Sequence, residues 1–164
     1  YNRERGANPL RLVKAFELYR HPVYQRLAEA TGTAKLYILS AGWGLIPASF
    51  LTPVYDITFT MQAERYKRRK ASQRYADFCM LPAKTAEPIV MFGSKEYAPF
   101  FAALTKDINA PKTVFYRSAT TPQLPGCRAV RIETSRRTNW QYECAEAFLD
   151  RCVEVAPNEA VHEG

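Results

Sequence analysis

Ala34-Lys35-Leu36-Tyr37-Ile38-Leu39-Ser40-Ala41-Gly42-Trp43-Gly44-Leu45-Ile46-Pro47, continuing through Pro53-Val54-Tyr55-Asp56-Ile57-Thr58-Phe59-Thr60, is the stretch whose reading decides the fold. Leu36 to Leu39 is a short apolar run of the kind that forms a buried strand, and it stops where Gly42 and Gly44 free the backbone to turn. In open α/β sheets ligands bind beyond the carboxyl ends of strands. The turn carrying Ser40 and Trp43 is therefore the first candidate for a site. From Trp43 to Thr60, Gly, Pro, Ser and Thr mix with large apolar residues, which predicts a long ordered loop. Tyr55-Asp56 places a phenol beside a carboxylate near its end.

Working outward, residues 9–30 predict a pair of helices broken at His21-Pro22, because proline removes a donor and disfavours helix in the residue before it. A histidine at such a corner is more often structural than catalytic. Residues 61–83 are read as a helix carrying Arg65, Tyr66, Lys67, Arg68, Arg69, Lys70 and Arg74. Six cations around an aromatic ring suit phosphates and a stacked base, and a solvated helix face is the alternative. No acidic residue falls within residues 65–74 to offset them.

Pro88 to Phe92 predicts a second buried strand, ending at Gly93-Ser94-Lys95-Glu96-Tyr97. Ser94 there is either the cap of the next helix or, with Lys95, an anion contact. Lys112 to Tyr116 and Ala129 to Ile132 supply two further strands, and Trp140 to Val153 a last helix. Arg136 and Arg137 precede that helix, where two guanidinium forks and the positive helix end favour an anion. The alternation of elements predicts a three-layer α/β domain with a short, mostly parallel sheet flanked by helices. One domain is expected over residues 1–155, with 156–164 as a frayed tail. The chain does not open on Met, and it is expected to be part of a longer protein.

Composition bounds the partners. The 164 residues are 47% hydrophobic and 24% charged, enough for a real core and too apolar for a disordered chain. No run approaches a membrane span, so no membrane partner is expected. Lys and Arg number 23 against 16 Asp and Glu, a net charge of +7 that favours polyanions. Cys79, Cys127, Cys144 and Cys152 show no Cys-x-x-Cys spacing and only two histidines accompany them. Reduced cysteines in a cytoplasmic protein, with no metal and no cofactor, are the expectation.

Leu39-Ser40-Ala41-Gly42-Trp43-Gly44-Leu45-Ile46, followed by Pro53 and Tyr55-Asp56, resembles the signature of the YaaA-like superfamily, which includes peroxide-stress proteins and related bacterial and phage domains. Gly93-Ser94-Lys95-Glu96-Tyr97 is similar to its second motif, and Glu17-Leu18-Tyr19 extends the likeness over roughly residues 10 to 105. Relatives commonly carry Lys or another polar residue where this chain has Gly42, so a catalytic cation is not carried over to that position. Relatives also begin with a strand and loop that this chain starts after. The resemblance implies an α/β domain that binds DNA near damaged or modified bases.

Residues and resemblance together give the leading expectation, a DNA-binding domain that processes a damaged or modified base by glycosidic-bond cleavage or related chemistry. Such chemistry extrudes the base and holds it between rings. Asp56, Ser40 and Tyr55 are the candidate catalytic residues. Trp43, Gly44, Ser94, Lys95 and Tyr97 are the candidate substrate contacts, and the cations above would grip the backbone. Asp56 has an alternative as a turn residue bonding its own backbone, and Trp43 as a core plug. A non-catalytic nucleic-acid-binding module and an enzyme acting on a free nucleotide are the competing functions. The second lacks any Walker-type or Gly-x-Gly-x-x-Gly loop.

Overall fold

The protein is described by a computed structural model covering Asn2 and residues 6–70, 77–136 and 138–151. Strand β2 (Tyr37–Ser40) runs antiparallel to β3 (Gly44–Pro47), with Ser40 opposite Gly44 and Tyr37 opposite Pro47. Ala41-Gly42-Trp43 is thus the turn of a tight hairpin. Strand β1 (Val13–Lys14) pairs antiparallel with β4 (Leu51–Thr52), and β5 (Phe78–Cys79) adds parallel to β3. A separate parallel sheet is built from β6 (Ile89–Met91), β7 (Lys112–Tyr116) and β8 (Arg128–Arg131), in that order. The helices are α1 (Pro22–Thr31), α2 (Ala98–Leu104) and α3 (Trp140–Leu149). The chain is a small α/β fold.

Apolar periodicity explains the packing. In β7, Thr113, Val114 and Phe115 are all buried, as expected of a central parallel strand covered on both faces. Leu45 of β3 joins Met91, Val114, Phe101 and Leu124 in one cluster, which ties the hairpin to the parallel sheet through α2. Ala15, Phe16, Ile38, Ile46 and Ala48 fill the other side of the hairpin. Ala41, Phe59 and Phe100 form a third cluster beneath the hairpin turn. Burying a Phe100-sized side chain stabilises by roughly 1.5–3 kcal/mol, so this last cluster fixes the turn firmly.

Several expectations are corrected. The 9–30 helix pair is one helix, preceded by β1 and a 3-10 turn over Ala15–Leu18. His21 is the N-cap of α1, its ring nitrogen accepting the Val23 amide at 3.3 Å. The long loop after Trp43 contains β3 and β4, because the turn sends the chain straight back along β2. Among the described residues the strands make three small sheets, three of whose five strand pairings are parallel. The helix expected over 61–83 is absent among the described residues, where only a 3-10 turn, Arg65–Lys67, and strand β5 form. Like charges three and four residues apart repel on a helix. Here the chain instead pairs with Thr58, whose amide reaches the Lys67 carbonyl and whose carbonyl takes the Arg69 amide, each at 2.8 Å. Ser94 is not the cap of α2, since Tyr97 holds that position. The last helix ends at Leu149, and the expected tail lies outside the described residues.

Candidate functional site

The hairpin turn is organised by Ser40. Its side chain is fully buried, and its Oγ accepts the amides of Gly42 and Trp43, each at 3.0 Å. The same hydroxyl forms a short hydrogen bond with the Tyr55 hydroxyl, joining the turn to the loop that returns past it. The Tyr55 ring lies against Gly42, where an added Cβ would come within 3.1 Å of it. Burial pushes the Tyr55 hydroxyl titration up, while its bonds to Ser40 and Tyr19 lower it. Tyr19 itself is raised strongly, by burial first and then by Tyr55 and Tyr97. Each effect follows from charge being disfavoured away from water or stabilised by a donor.

Around this pair the rings are locked. Trp43 is half-buried, tilted against Phe50 at 5.7 Å and parallel to Phe78 at 6.4 Å, and its indole N–H donates to Thr52 Oγ1 at 2.9 Å. Its polar edge and its ring are both engaged in packing. Gly44 has φ 97°, and a Cβ there would meet the Phe78 carbonyl oxygen at 2.2 Å, so its role is to admit β5. Tyr97 packs edge-on to Phe59 at 5.2 Å and its hydroxyl sits 3.2 Å from Thr58 Oγ1.

Asp56 stands apart from Ser40 and Tyr55 in environment. Its side chain is 73% exposed and ion-paired to Lys67 at 2.8 Å. Lys67 also pairs with Glu64 at 3.0 Å. Its bonds to Asp56, then to Glu64, hold the ammonium charged well above the ordinary lysine range. Arg69 Nη1 donates to the Ala41 carbonyl at 2.7 Å and to Asp77 at 2.5 Å. Asp77 is 2% exposed at its side chain, and its second carboxylate oxygen is buried without a hydrogen-bond partner. Two of the basic segment's cations are therefore neutralised by acids flanking it, Asp56, Glu64 and Asp77, just outside the window read as purely basic.

The remaining predicted residues are placed as follows. Tyr66 is 79% exposed, its hydroxyl donating to Glu64 at 2.6 Å. Arg65 and Lys70 are exposed and Arg68 is half-buried. Ser94 gives its carbonyl to the Tyr97 amide at 3.0 Å, and Lys95 is exposed. Arg136 is exposed, its amide held by Glu143 at 3.2 Å. Arg74 and Arg137 lie outside the described residues.

Sequence reasoning assigned no role to Tyr19 or Asp77. Asp77 had a usable signal as the first acid after a long basic run; Tyr19 had only its place in Glu17-Leu18-Tyr19, the stretch that extends the family likeness upstream. Among the described residues, no group of three His, Cys, Asp or Glu side chains could hold a metal, and Cys79, Cys127 and Cys144 are free thiols. No helix among them is long and apolar enough to cross a membrane.

No family model matches this chain, and no curated protein or solved structure matches it either.

Proposed function

We propose that this chain binds nucleic acid, DNA in the first instance, through the loop from Val54 to Lys70, and processes a damaged or modified base there. The observation that supports this reading is the Tyr66 ring, 79% exposed in a segment where Arg65 and Arg68 flank it. The Lys67 ammonium lies 5.5 Å from the centroid of that ring, and an exposed ring among cations is what base stacking and backbone contact require. The same loop leads back to Tyr55, a half-buried residue whose hydroxyl is anchored by Ser40. Trp43 is occupied by Phe50 and Phe78, so Tyr55 and Tyr66 are the rings left for a base. Asp56, ion-paired with Lys67, would stabilise positive charge on the sugar or activate water. On this reading the domain is a cytoplasmic, three-layer relative of the YaaA-like group.

Oligonucleotides carrying modified bases test it, with cleavage or excision compared between the wild type and Asp56→Asn. Excision by the wild type that falls at least about tenfold in the variant supports the chemistry. Equal activity removes Asp56 from the mechanism. Binding without any excision leaves the alternative, a non-catalytic nucleic-acid-binding module. One observation favours that alternative: the Asp56 carboxylate faces water and a lysine, not an enclosed pocket.

A further inference from the structure

Lys112 opens β7 with its side chain inside the molecule, only 7% exposed. Its ammonium donates to the Thr105 carbonyl at 2.9 Å and to the Ile108 carbonyl at 2.6 Å, at the end of α2 and in the turn beyond it. The negative end of a helix favours a cation there, which accounts for two donors. An ammonium has three. Among the described residues no third acceptor reaches it and no carboxylate pairs with it. A buried charge without a counter-ion is costly, so an anion that reached it would be held firmly. The way in is open: a cavity of about 440 Å³ borders Lys112 and is lined also by Asn109, Gly126, Cys127 and Arg128. Gly126, where a Cβ would stand 3.7 Å from Lys112 Nζ, brings bare backbone against the ammonium.

We infer that this cavity binds a terminal phosphate group, carried by a small molecule or by the end of a nucleic-acid strand, with Lys112 and Arg128 as its cations. Arg128 opens β8 and is exposed. The register sets Arg128 beside Thr113, so the pleat sends Arg128 and Lys112 to opposite faces, and a ligand at the strand ends meets one from each side. A guanidinium fork and a point-charge ammonium both suit phosphate oxygens. No acid lines this cavity or its neighbour of about 400 Å³, which shares Asn109 and Ala110 with it and adds Lys84. Two cations without an acid match a terminal phosphate, which carries about −1.5 to −2 at neutral pH. A carboxylate leaves one of them unbalanced. Lys112 and Arg128 begin their strands, whereas Gly93 to Tyr97 follow the end of the parallel β6, so the cavity lies at the other end of the sheet and does not rest on the function proposed above.

Cys127 lines the cavity and reports its occupancy. Burial pushes the Cys127 thiol titration up and the Lys112 charge lowers it in part, so an anion on Lys112 both covers the thiol and disfavours its thiolate. Exposed Cys79 is the internal reference. With the whole chain, iodoacetamide and peptide mass spectrometry, saturating inorganic phosphate should slow alkylation of Cys127 at least about fivefold relative to Cys79. Chloride and acetate at the same ionic strength should protect much less. No protection by phosphate overturns the site, and equal protection by acetate overturns the doubly charged ligand.

Lys112→Met should abolish the protection. Should that variant fail to fold, because the Thr105 and Ile108 carbonyls lose their donor, Arg128→Ala decides: it changes an exposed side chain and should raise the phosphate concentration needed about tenfold. An unchanged requirement overturns the site. Glycerol phosphate and a single strand with and without a terminal phosphate then separate the carriers. Protection by the ester, or by the phosphorylated strand alone, supports the site and names its carrier. Protection by neither, or by both strands equally, overturns the terminal phosphate.

Discussion

A methyl group at Gly44 would come 2.2 Å from the Phe78 carbonyl oxygen and 2.7 Å from its nitrogen, both backbone atoms that cannot swing aside. With φ at 97°, the position is also strained for any L side chain. Gly44→Ala should therefore destabilise by more than about 1 kcal/mol, read as a lowered urea midpoint. An unchanged midpoint would show that β5 does not close on β3 as described. Arg69 offers the complementary case. It neutralises Asp77, whose side chain is 2% exposed, and holds the Ala41 carbonyl of the hairpin turn. Removing one partner of such a pair leaves an uncompensated buried charge and costs about 3–5 kcal/mol. Arg69→Leu should show that loss, and Arg69→Leu combined with Asp77→Leu should recover much of it. A double variant as unstable as the single would mean that the pairing is not what Arg69 contributes.

At the scale of elements, α3 is tied to the segment before it by one carboxylate. Glu143 accepts the Ser135 amide at 2.8 Å, the Ser135 hydroxyl at 3.0 Å and the Arg136 amide at 3.2 Å. Those bonds, the Ser135 amide first, hold its titration below the ordinary 4.5. A carboxylate lowered on folding contributes stability above its unfolded value and loses it as the pH falls through the folded one. Hydrogen exchange at the Ser135 and Arg136 amides should therefore lose protection only below about pH 4.5, and Glu143→Gln should lose it at neutral pH. Protection that ignores both changes would dismiss the tether. The sequence could not announce this contact, whose partners are seven and eight residues apart with no periodic pattern. Strands were more legible. Lys112 to Tyr116 forms where it was read, because buried β-branched and aromatic residues leave a parallel strand few alternatives. The basic stretch does not form the helix expected of it, because the repulsion between Arg65, Arg68 and Arg69 opposes helical spacing. Ser40 and Tyr55 were both recognisable as polar residues in a loop motif, yet their bond depends on a hairpin that the glycine turn did not specify.

For the whole molecule, the net charge of +7 is a sum over surfaces that the fold distributes unevenly. Lys67 is held by Asp56 and Glu64, and Arg69 is turned inward toward Asp77 and Ala41. Arg65, exposed, and Arg68, half-buried, remain in the described part of that segment as the cations best placed for a phosphate backbone. Counterion release gives a slope of log K against log salt near −0.7 for each phosphate neutralised on a single strand. Replacing both Arg65 and Arg68 by Ala should thus flatten the slope by about 1.4, whereas Lys67→Ala should change it much less. Tyr66→Ala separates stacking from charge, because a base on its ring is worth about 1–3 kcal/mol and releases no ions. Its expected signature is weaker affinity with the slope unchanged. Fluorescence anisotropy on a labelled single strand from about 50 to 200 mM salt reads all three variants. Should the arginine pair leave the slope intact while Lys67→Ala flattens it, the Asp56–Lys67 pair must open on binding, and the nucleic acid would lie over Asp56 instead of along Tyr66.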